Sequence, residues 1–115
     1  MSAEARYLSH LEDMIEAAET ALQFVEGSTY ADFSRNKKDH FATIRALEIL
    51  GEAAKRVPVE IRHRYPAIAW GEIARMRDKL IHHYTKVNLK VVWRTATEDL
   101  PILLPQLRKV LDTQV

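Results

Sequence analysis

The 115-residue sequence has no cysteine, only three glycines, and no long uninterrupted apolar run. Without cysteine there is no disulfide, thiolate metal site or cysteine nucleophile, and a reducing cytoplasm is the compartment we expect. With so few glycines the chain has no Gly-rich phosphate loop of the P-loop or Rossmann kind. Because no apolar segment suits a signal peptide or a bilayer span, we expect no membrane association.

The sequence also lacks an excess of either charge, since 17 lysines and arginines stand against 16 aspartates and glutamates and the formal net charge is +1. Overall charge therefore does not indicate a nucleic-acid-binding protein, and any such site has to be a local patch. With 47% hydrophobic and 29% charged residues, the composition is that of a folded globular chain. Its length is enough for one hydrophobic core, so we expect one domain over residues 1–115.

Apolar residues recur at spacings of three and four in four long segments, which predicts four amphipathic helices. These helices are predicted from Ser2 to Gly27, from about Lys38 to Arg56, from near Trp70 to about His83, and from Asn88 onward. The apolar stripe of the second comprises Phe41, Ile44, Leu47, Leu50 and Ala54.

The remaining segments are short. Residues 28–38 are polar and are predicted to form a loop that includes one helical turn, whereas Val59–Arg64 is a candidate short helix. Pro101 and Pro105 are expected to kink or break the last helix. The sequence thus predicts an all-α fold, a compact bundle of four to five helices.

Arg77 does not fit its helix. On a helix turning roughly 100° per residue, it falls in the middle of an apolar side formed by residues such as Ile73 and Leu80. Burying an unpaired guanidinium is costly. Either Arg77 pairs with a carboxylate of the second helix, Glu48 or Glu52, or the stripe opens onto a cleft or subunit interface where Arg77 meets an anion. Periodicity favours neither interpretation.

His82 and Tyr84 follow Arg77 on the same segment. Five positions correspond to roughly 140° around the axis, so Arg77 and His82 converge only if the helix distorts or a second chain completes the site. Arginine binds phosphate bidentately and histidine transfers protons near neutral pH. The alternative is a helix end at which His82 and His83 interact favourably with the helix dipole, and residue types alone favour that alternative.

The run from Arg77 to Tyr84 resembles the signature of HEPN domains, in which arginine is followed by four residues, histidine, one residue and tyrosine. It is most similar to the HepT-like toxins of bacterial and archaeal toxin–antitoxin pairs. The similarity extends over roughly residues 41–107, including the stretches 46–53, 65–77, 92–93 and 100–101.

This resemblance implies a helical homodimer in which the motif helices face each other across a cleft and cut RNA without a metal or other cofactor. Arg77 would hold the scissile phosphate, and His82 would act as general base or acid in transesterification. Tyr84 matches the tyrosine that a partner nucleotidyltransferase antitoxin modifies with AMP, which would block the RNA site with anionic phosphates. The expected partners are RNA, that antitoxin and a second copy of the chain.

Two neighbours of the motif are secondary candidates. Asp78 stands where asparagine is frequent in the family, and a carboxylate cannot donate a hydrogen bond to phosphate. It would repel the substrate, or else orient Arg77 or His82. His83 could assist His82, although on a helix it projects elsewhere. Asp78 leaves open a non-catalytic nucleotide-binding or accessory subunit, and a plain helical dimerisation module is the third interpretation.

Other residues are assigned less specific roles. The basic residues Arg62, Arg64, Arg75 and Lys79 could line a rim that guides RNA, but singly each is more typical of an ordinary solvated surface. No metal is expected, because the remaining histidines show no ligand spacing. Trp70 and Trp93 are expected to be core or interface anchors rather than base-stacking platforms.

Overall fold

The computed structural model describes residues 3–82 and 87–114, and the side chains of residues 7–81 and 87–114. The helices in chain order are α1 (Ala3–Val25), α2 (Tyr30–Arg35), α3 (Lys37–Arg56), α4 (Val59–Arg64), α5 (Trp70–His82), α6 (Leu89–Arg94) and α7 (Leu100–Gln114). A π-helical turn, Thr95–Asp99, joins α6 to α7. The described residues contain no β-strand, which confirms the all-α prediction. Among these helices, none is both long enough and apolar enough to cross a bilayer.

The core lies where α1, α3 and α7 meet. Helix α1 packs along α3 and against α7, and α3 packs on its other side against α5. The periodic residues supply the fully buried side chains, including Leu11 of α1, Leu47 and Leu50 of α3, and Leu107 of α7. Trp70 is buried, and Trp93 is half-buried with its ring centroid 5.2 Å from that of Phe33. Both tryptophans therefore anchor the interior, as predicted.

The segment 28–38 is more helical than predicted. Helix α2 occupies six residues, because the Thr29 hydroxyl accepts the Asp32 amide at 3.1 Å and buried Phe33 fastens the helix to the core. Asn36 then caps α3 by accepting the Asp39 amide at 3.1 Å. Side-chain caps and one buried aromatic thus order a segment that its composition alone suggested was a loop.

The stripe prediction for α3 was wrong at its first member. Phe41 is 61% exposed, whereas Ile44, Leu47 and Leu50 are buried as expected. The ring of Phe41 lies edge-on to that of His40, which is buried in its place, with centroids 4.9 Å apart. Helix α2 packs over the start of α3, where the ring of Phe33 lies edge-on to that of His40 with the centroids 6.1 Å apart. This packing buries His40 rather than Phe41.

The interruption predicted near the prolines occurs just before them. A proline ring clashes with the carbonyl four residues earlier and removes one hydrogen bond. For Pro101 that carbonyl belongs to Thr97, which lies within the π-helical turn. The wider turn gives the ring of Pro101 room at the start of α7. Helix α7 continues through Pro105, so the interruption expected at that proline does not occur.

Candidate active site

Arg77 lies midway along α5, in the wall of a cleft between α1, α3 and α5. The cleft measures about 280 Å³. Besides Arg77, its walls include His10 and Asp13 of α1, Glu48, Ile49 and Glu52 of α3, and Ile81 of α5. The Arg77 side chain is 26% exposed, so solvent or a ligand reaches part of it. The stripe of α5 therefore opens onto a cleft at this residue.

Gly51 brings α3 unusually close to Arg77. A Cβ atom added to Gly51 would lie 2.1 Å from Arg77 Cβ and 3.0 Å from the Ile73 carbonyl oxygen. Glycine costs about 1 kcal/mol relative to alanine inside a helix, but here it allows the two backbones to approach. This contact restricts the position of Arg77 Cβ independently of the ion pairs that the guanidinium makes.

A carboxylate of α3 holds the far end of Arg77. Arg77 Nη2 lies 2.9 Å from Glu52 Oε2, and the other oxygen of Glu52 accepts Arg56 Nη2 at 3.1 Å. Of the two acids considered as partners of Arg77 in the first interpretation, Glu52 makes the ion pair, whereas Glu48 pairs with Arg45. Glu52 is 39% exposed, so the pair lies at the cleft rather than in the core.

Asp78 adds a second pair of charges. Its Oδ1 accepts Lys55 Nζ at 2.7 Å and Arg77 Nη1 at 3.3 Å. The hydrogen bond from Lys55, helped by Arg77 and opposed by partial desolvation, holds the pKa of Asp78 below its ordinary value of 3.8. Asp78 is therefore ionised and lies between two cations, so its charge is largely offset locally.

The five side chains form one chain of alternating charge between α3 and α5. Its order is Arg56, Glu52, Arg77, Asp78 and Lys55. Three cations and two carboxylates leave a net charge of +1. The network orients Arg77. The cleft itself is lined by three arginines and three carboxylates, so with His10 neutral its formal charge is zero.

Arg77 retains donors for an anionic ligand. A guanidinium carries five N–H groups, and Glu52 and Asp78 engage one terminal nitrogen each. The Nε atom is buried without a hydrogen-bond partner among the described residues. The terminal nitrogens thus keep N–H groups that can bind phosphate, and an anion there would add acceptors that Arg77 lacks.

His82 is the last residue of α5, five positions beyond Arg77. Its side chain, together with all of His83 and Tyr84, lies outside the described residues. The structure brings Asp78 to Arg77, and the regular helix leaves Arg77 and His82 offset by roughly 140° around its axis. The predicted meeting of Arg77 with His82 stays a prediction.

Three residues of this site were missed by sequence reasoning: Gly51, Lys55 and Arg56. Gly51 carried a signal, because a lone glycine inside a strongly helical pattern often marks a close contact. Lys55 and Arg56 lie near the end of α3 and carried none, since basic residues are ordinary there. Only the placement of α3 against α5 shows that they flank the two carboxylates.

The basic residues proposed as a rim are not all alike. Arg64, Arg75 and Lys79 are exposed and Arg62 is half-buried; none of the four makes an ion pair with a described residue. The described residues contain no group of three or more histidines or carboxylates placed to hold a metal ion.

Comparison with known proteins assigns the sequence to a family. The model of the ribonuclease HepT-like family matches residues 14–110, a range that contains Arg77, His82 and Tyr84. A protein of Thermococcus cleftensis named "Probable ribonuclease HepT" is 46% identical over 101 residues, which cover 88% of this chain and 92% of that protein. A protein of Caldanaerobacter subterraneus subsp. tengcongensis named "Putative RNase" is 37% identical over 105 residues, covering 91% of this chain and 94% of the relative.

A "Putative RNase" of Methanocaldococcus jannaschii is 39% identical over 101 residues, covering 88% of this chain and 84% of that protein. No solved structure matches the chain. The family match covers most of the residues that form the bundle and all of those that form the charge network around Arg77. The chain belongs to the ribonuclease HepT-like family.

Proposed function

We propose that this protein is a metal-independent endoribonuclease toxin in which Arg77 and His82 cut RNA at a cleft completed by a second copy of the chain. The observation that supports this most is the placement of Arg77. Its guanidinium is anchored at a cleft by Glu52, keeps unused donors, and belongs to the helix that ends at His82. The proposal places the reaction in the cytoplasm.

The chemistry is an internal transesterification. The 2′-oxygen of the RNA attacks phosphorus while the bond from phosphorus to the 5′-oxygen of the next nucleotide breaks. The His82 imidazole takes the 2′-hydroxyl proton, and a water molecule protonates the departing 5′-oxygen. Arg77 stabilises the charge that develops on the phosphoryl oxygens. The products are a 2′,3′-cyclic phosphate and a free 5′-hydroxyl.

Cleavage of total RNA in EDTA tests the reaction. We expect His82→Ala to lower the cleavage rate by about 10²–10⁴-fold, the usual contribution of general acid–base catalysis. His83→Ala is the matched control, because it removes a neighbouring imidazole, and we expect it to retain activity. Equal cleavage by wild type and His82→Ala would remove His82 from the mechanism. Products with 5′-phosphates would exclude transesterification.

The second copy is needed because the helix turns His82 away from Arg77 of its own chain. The proposal predicts that mixed dimers regain activity. Arg77→Gln and His82→Ala, each inactive alone, are co-refolded so that one chain supplies the arginine and the other the histidine. Recovered cleavage supports a shared site. A mixture as inactive as its components, in a sample that sediments as a dimer, would contradict it.

Regulation is proposed to act at Tyr84. A nucleotidyltransferase antitoxin would attach AMP to the phenol oxygen, seven positions along the sequence from Arg77, and the added phosphates would compete with RNA for the charge of Arg77. Co-expression with a nucleotidyltransferase antitoxin should raise the mass of the chain by adenylate units and abolish cleavage. Tyr84→Phe should cleave RNA and resist both effects. Neutralisation of Tyr84→Phe without a mass change would point to inhibition by binding.

One observation favours a second candidate function. Both carboxylates on Arg77, those of Glu52 and Asp78, oppose the negative charge that develops on a phosphate during RNA cleavage more than they oppose the binding of a phosphate that does not react. If the site binds a nucleotide without cutting RNA, the protein is a nucleotide-binding accessory subunit. Nucleotide binding by wild type, lost in Arg77→Gln, with no cleavage of any RNA would select this function over the nuclease.

A further inference from the structure

A second basic site lies beside the opposite end of α5 from His82. A pocket of about 460 Å³ lies between α4 and the first turns of α5. Its basic lining residues are Arg62 and His63 of α4 and Arg75 of α5. None of the three forms an ion pair with a described residue, in contrast to Arg77.

Both guanidinium groups lie at the pocket, one half-buried and one exposed. Arg62 is half-buried, and its Nε atom is fully buried without a hydrogen-bond partner among the described residues. Arg75 folds back over the start of α5, since a Cβ added to Gly71 would lie 3.2 Å from Arg75 Nη1. Two cations thus flank one pocket without a counter-charge paired to either.

The only carboxylate in the pocket wall is that of Glu72, which makes no ion pair with Arg62 or Arg75. With both arginines charged, the wall has a formal charge of at least +1. The positive end of the α5 dipole adds to this potential. The pocket therefore attracts an anion, and paired guanidinium groups suit the oxygens of a phosphate.

We propose that this pocket binds a backbone phosphate of the RNA outside the cleft that contains Arg77. The two sites are distinct, because Arg75 and Arg77 are two residues apart and project roughly 200° from each other around α5. The inference uses the RNA substrate of the proposed function but concerns binding alone. Its effect should appear with an RNA long enough to extend beyond the cleft and disappear with a dinucleotide.

Binding is measured by fluorescence anisotropy with labelled 2′-O-methyl RNA, which cannot undergo transesterification. This probe separates the inference from the nuclease proposal, since binding is read whether or not natural RNA is cut. For single strands each phosphate contact contributes about −0.7 to the slope of log K against log salt, equivalent to about fivefold in affinity at 0.1 M salt. Arg75→Gln should weaken binding by about that factor and reduce the slope accordingly.

Matched variants sharpen the test. Arg64→Gln removes an equal charge from α4 at a residue that does not line the pocket, and it should change affinity less than Arg75→Gln. Glu72→Gln removes the pocket's carboxylate and should tighten binding several-fold. Arg62→Gln with Arg75→Gln should weaken binding by about 25-fold, two contacts' worth. Because Arg62 is partly buried, this double variant is first checked for a cooperative thermal transition.

The proposal is overturned if Arg75→Gln and Glu72→Gln both match Arg64→Gln in affinity and in salt slope, since both positions are exposed and neither change should affect folding. An equal loss with the dinucleotide would place the effect at the cleft and overturn it as well. Inorganic phosphate is the last arm. If Arg75→Gln weakens phosphate binding and leaves RNA binding unchanged, the pocket takes free phosphate and the RNA assignment fails.

Discussion

Arg75 and Arg77 lie two residues apart on α5, yet their guanidinium groups have opposite surroundings. Arg77 is wedged against Gly51 and paired with Glu52 and Asp78, whereas Arg75 is exposed and makes no ion pair with a described residue. A paired guanidinium is held in one geometry, and an unpaired one keeps its full charge for a mobile anion. A fixed orientation suits a guanidinium that acts on the reacting phosphate. An unpaired charge suits a guanidinium that only attracts the phosphates of the RNA backbone.

The tight packing at Arg77 is the first feature to break. Gly51→Ala places a methyl group 2.1 Å from Arg77 Cβ, so α3 and α5 have to separate. We expect a loss of about 1–3 kcal/mol in the free energy of unfolding, as for other overpacked contacts, and loss of cleavage because Arg77 shifts. Urea denaturation measures the first effect and RNA cleavage the second.

Gly71→Ala is the matched control, because Gly71 lies next to Arg75 as Gly51 lies next to Arg77. Its new methyl group meets only the flexible end of Arg75, at 3.2 Å, so the protein should lose little or no stability. Similar losses for Gly51→Ala and Gly71→Ala would mean that the approach of α3 to α5 is not what constrains Arg77.

The pairing of Arg77 is broken by Glu52→Gln. If Glu52 positions Arg77, the variant should have a divided effect on the two kinetic constants. Its kcat should fall by about tenfold, near the contribution of one charge-assisted hydrogen bond. Its KM should fall as well, because a negative charge is removed from the cleft. Glu48→Gln lies on the same helix and in the same cleft but pairs with Arg45, so its kcat should stay unchanged. Loss of folding without this divided effect would make Glu52 purely structural.

A smaller change is expected from Asp78→Asn. The pKa of Asp78 is lowered, chiefly by Lys55, so its ion pairs contribute stability above the ordinary pKa of 3.8 that is lost as the pH falls through the lower folded value. The variant should therefore be slightly less stable at neutral pH and equal to wild type in strong acid. Its RNA affinity, measured by fluorescence anisotropy, should change little, because Lys55 and Arg77 already offset the charge of Asp78. A rise of several-fold would contradict this local balance.

The smallest effect is expected at Asp99. Asp99 and Glu72 line the same cavity of about 760 Å³ beside α5. Desolvation, reinforced by Glu98 and Glu72, raises the pKa of Asp99 above 3.8. Between pH 3.8 and the raised pKa, the folded chain binds more protons than the unfolded chain. The free energy of unfolding therefore falls as the pH rises through this range.

Asp99→Asn should therefore stabilise the protein at neutral pH by no more than about 0.5 kcal/mol, the usual range of surface changes. The gain should vanish below pH 3.8. Thermal melts across this pH range measure it, and a loss of stability at neutral pH would contradict the assignment.

The sequence predicted most of the framework because apolar periodicity records which faces are buried. It gave three of the long helices within a residue or two and identified Arg77 as the residue out of place. It underestimated the length of α2 and missed the burial of His40, since both depend on Phe33 packing across helices. The π-helical turn was predicted only as an interruption, because proline marks a disturbance but not its form.

The candidate site was less predictable for a physical reason. Helical periodicity left the environment of Arg77 undecided, and the structure joins both alternatives: the carboxylate pair lies at the cleft. The contact between Gly51 and Arg77 depends on how closely α3 and α5 approach each other. The spacing of apolar residues in these two helices does not reveal that distance. The pocket at Arg62 and Arg75 likewise needs α4 placed against α5 before ordinary surface cations become a site.

The most direct test compares kcat and KM for RNA cleavage in EDTA between Arg77→Gln and Arg75→Gln. Removal of a preorganised oxyanion donor costs about 10²–10³-fold in kcat, so we expect Arg77→Gln to lose at least a hundredfold in kcat. Arg75→Gln should keep its kcat and raise KM by about fivefold. Equal losses in kcat for the two variants, or full activity in Arg77→Gln, would contradict the division of labour along α5.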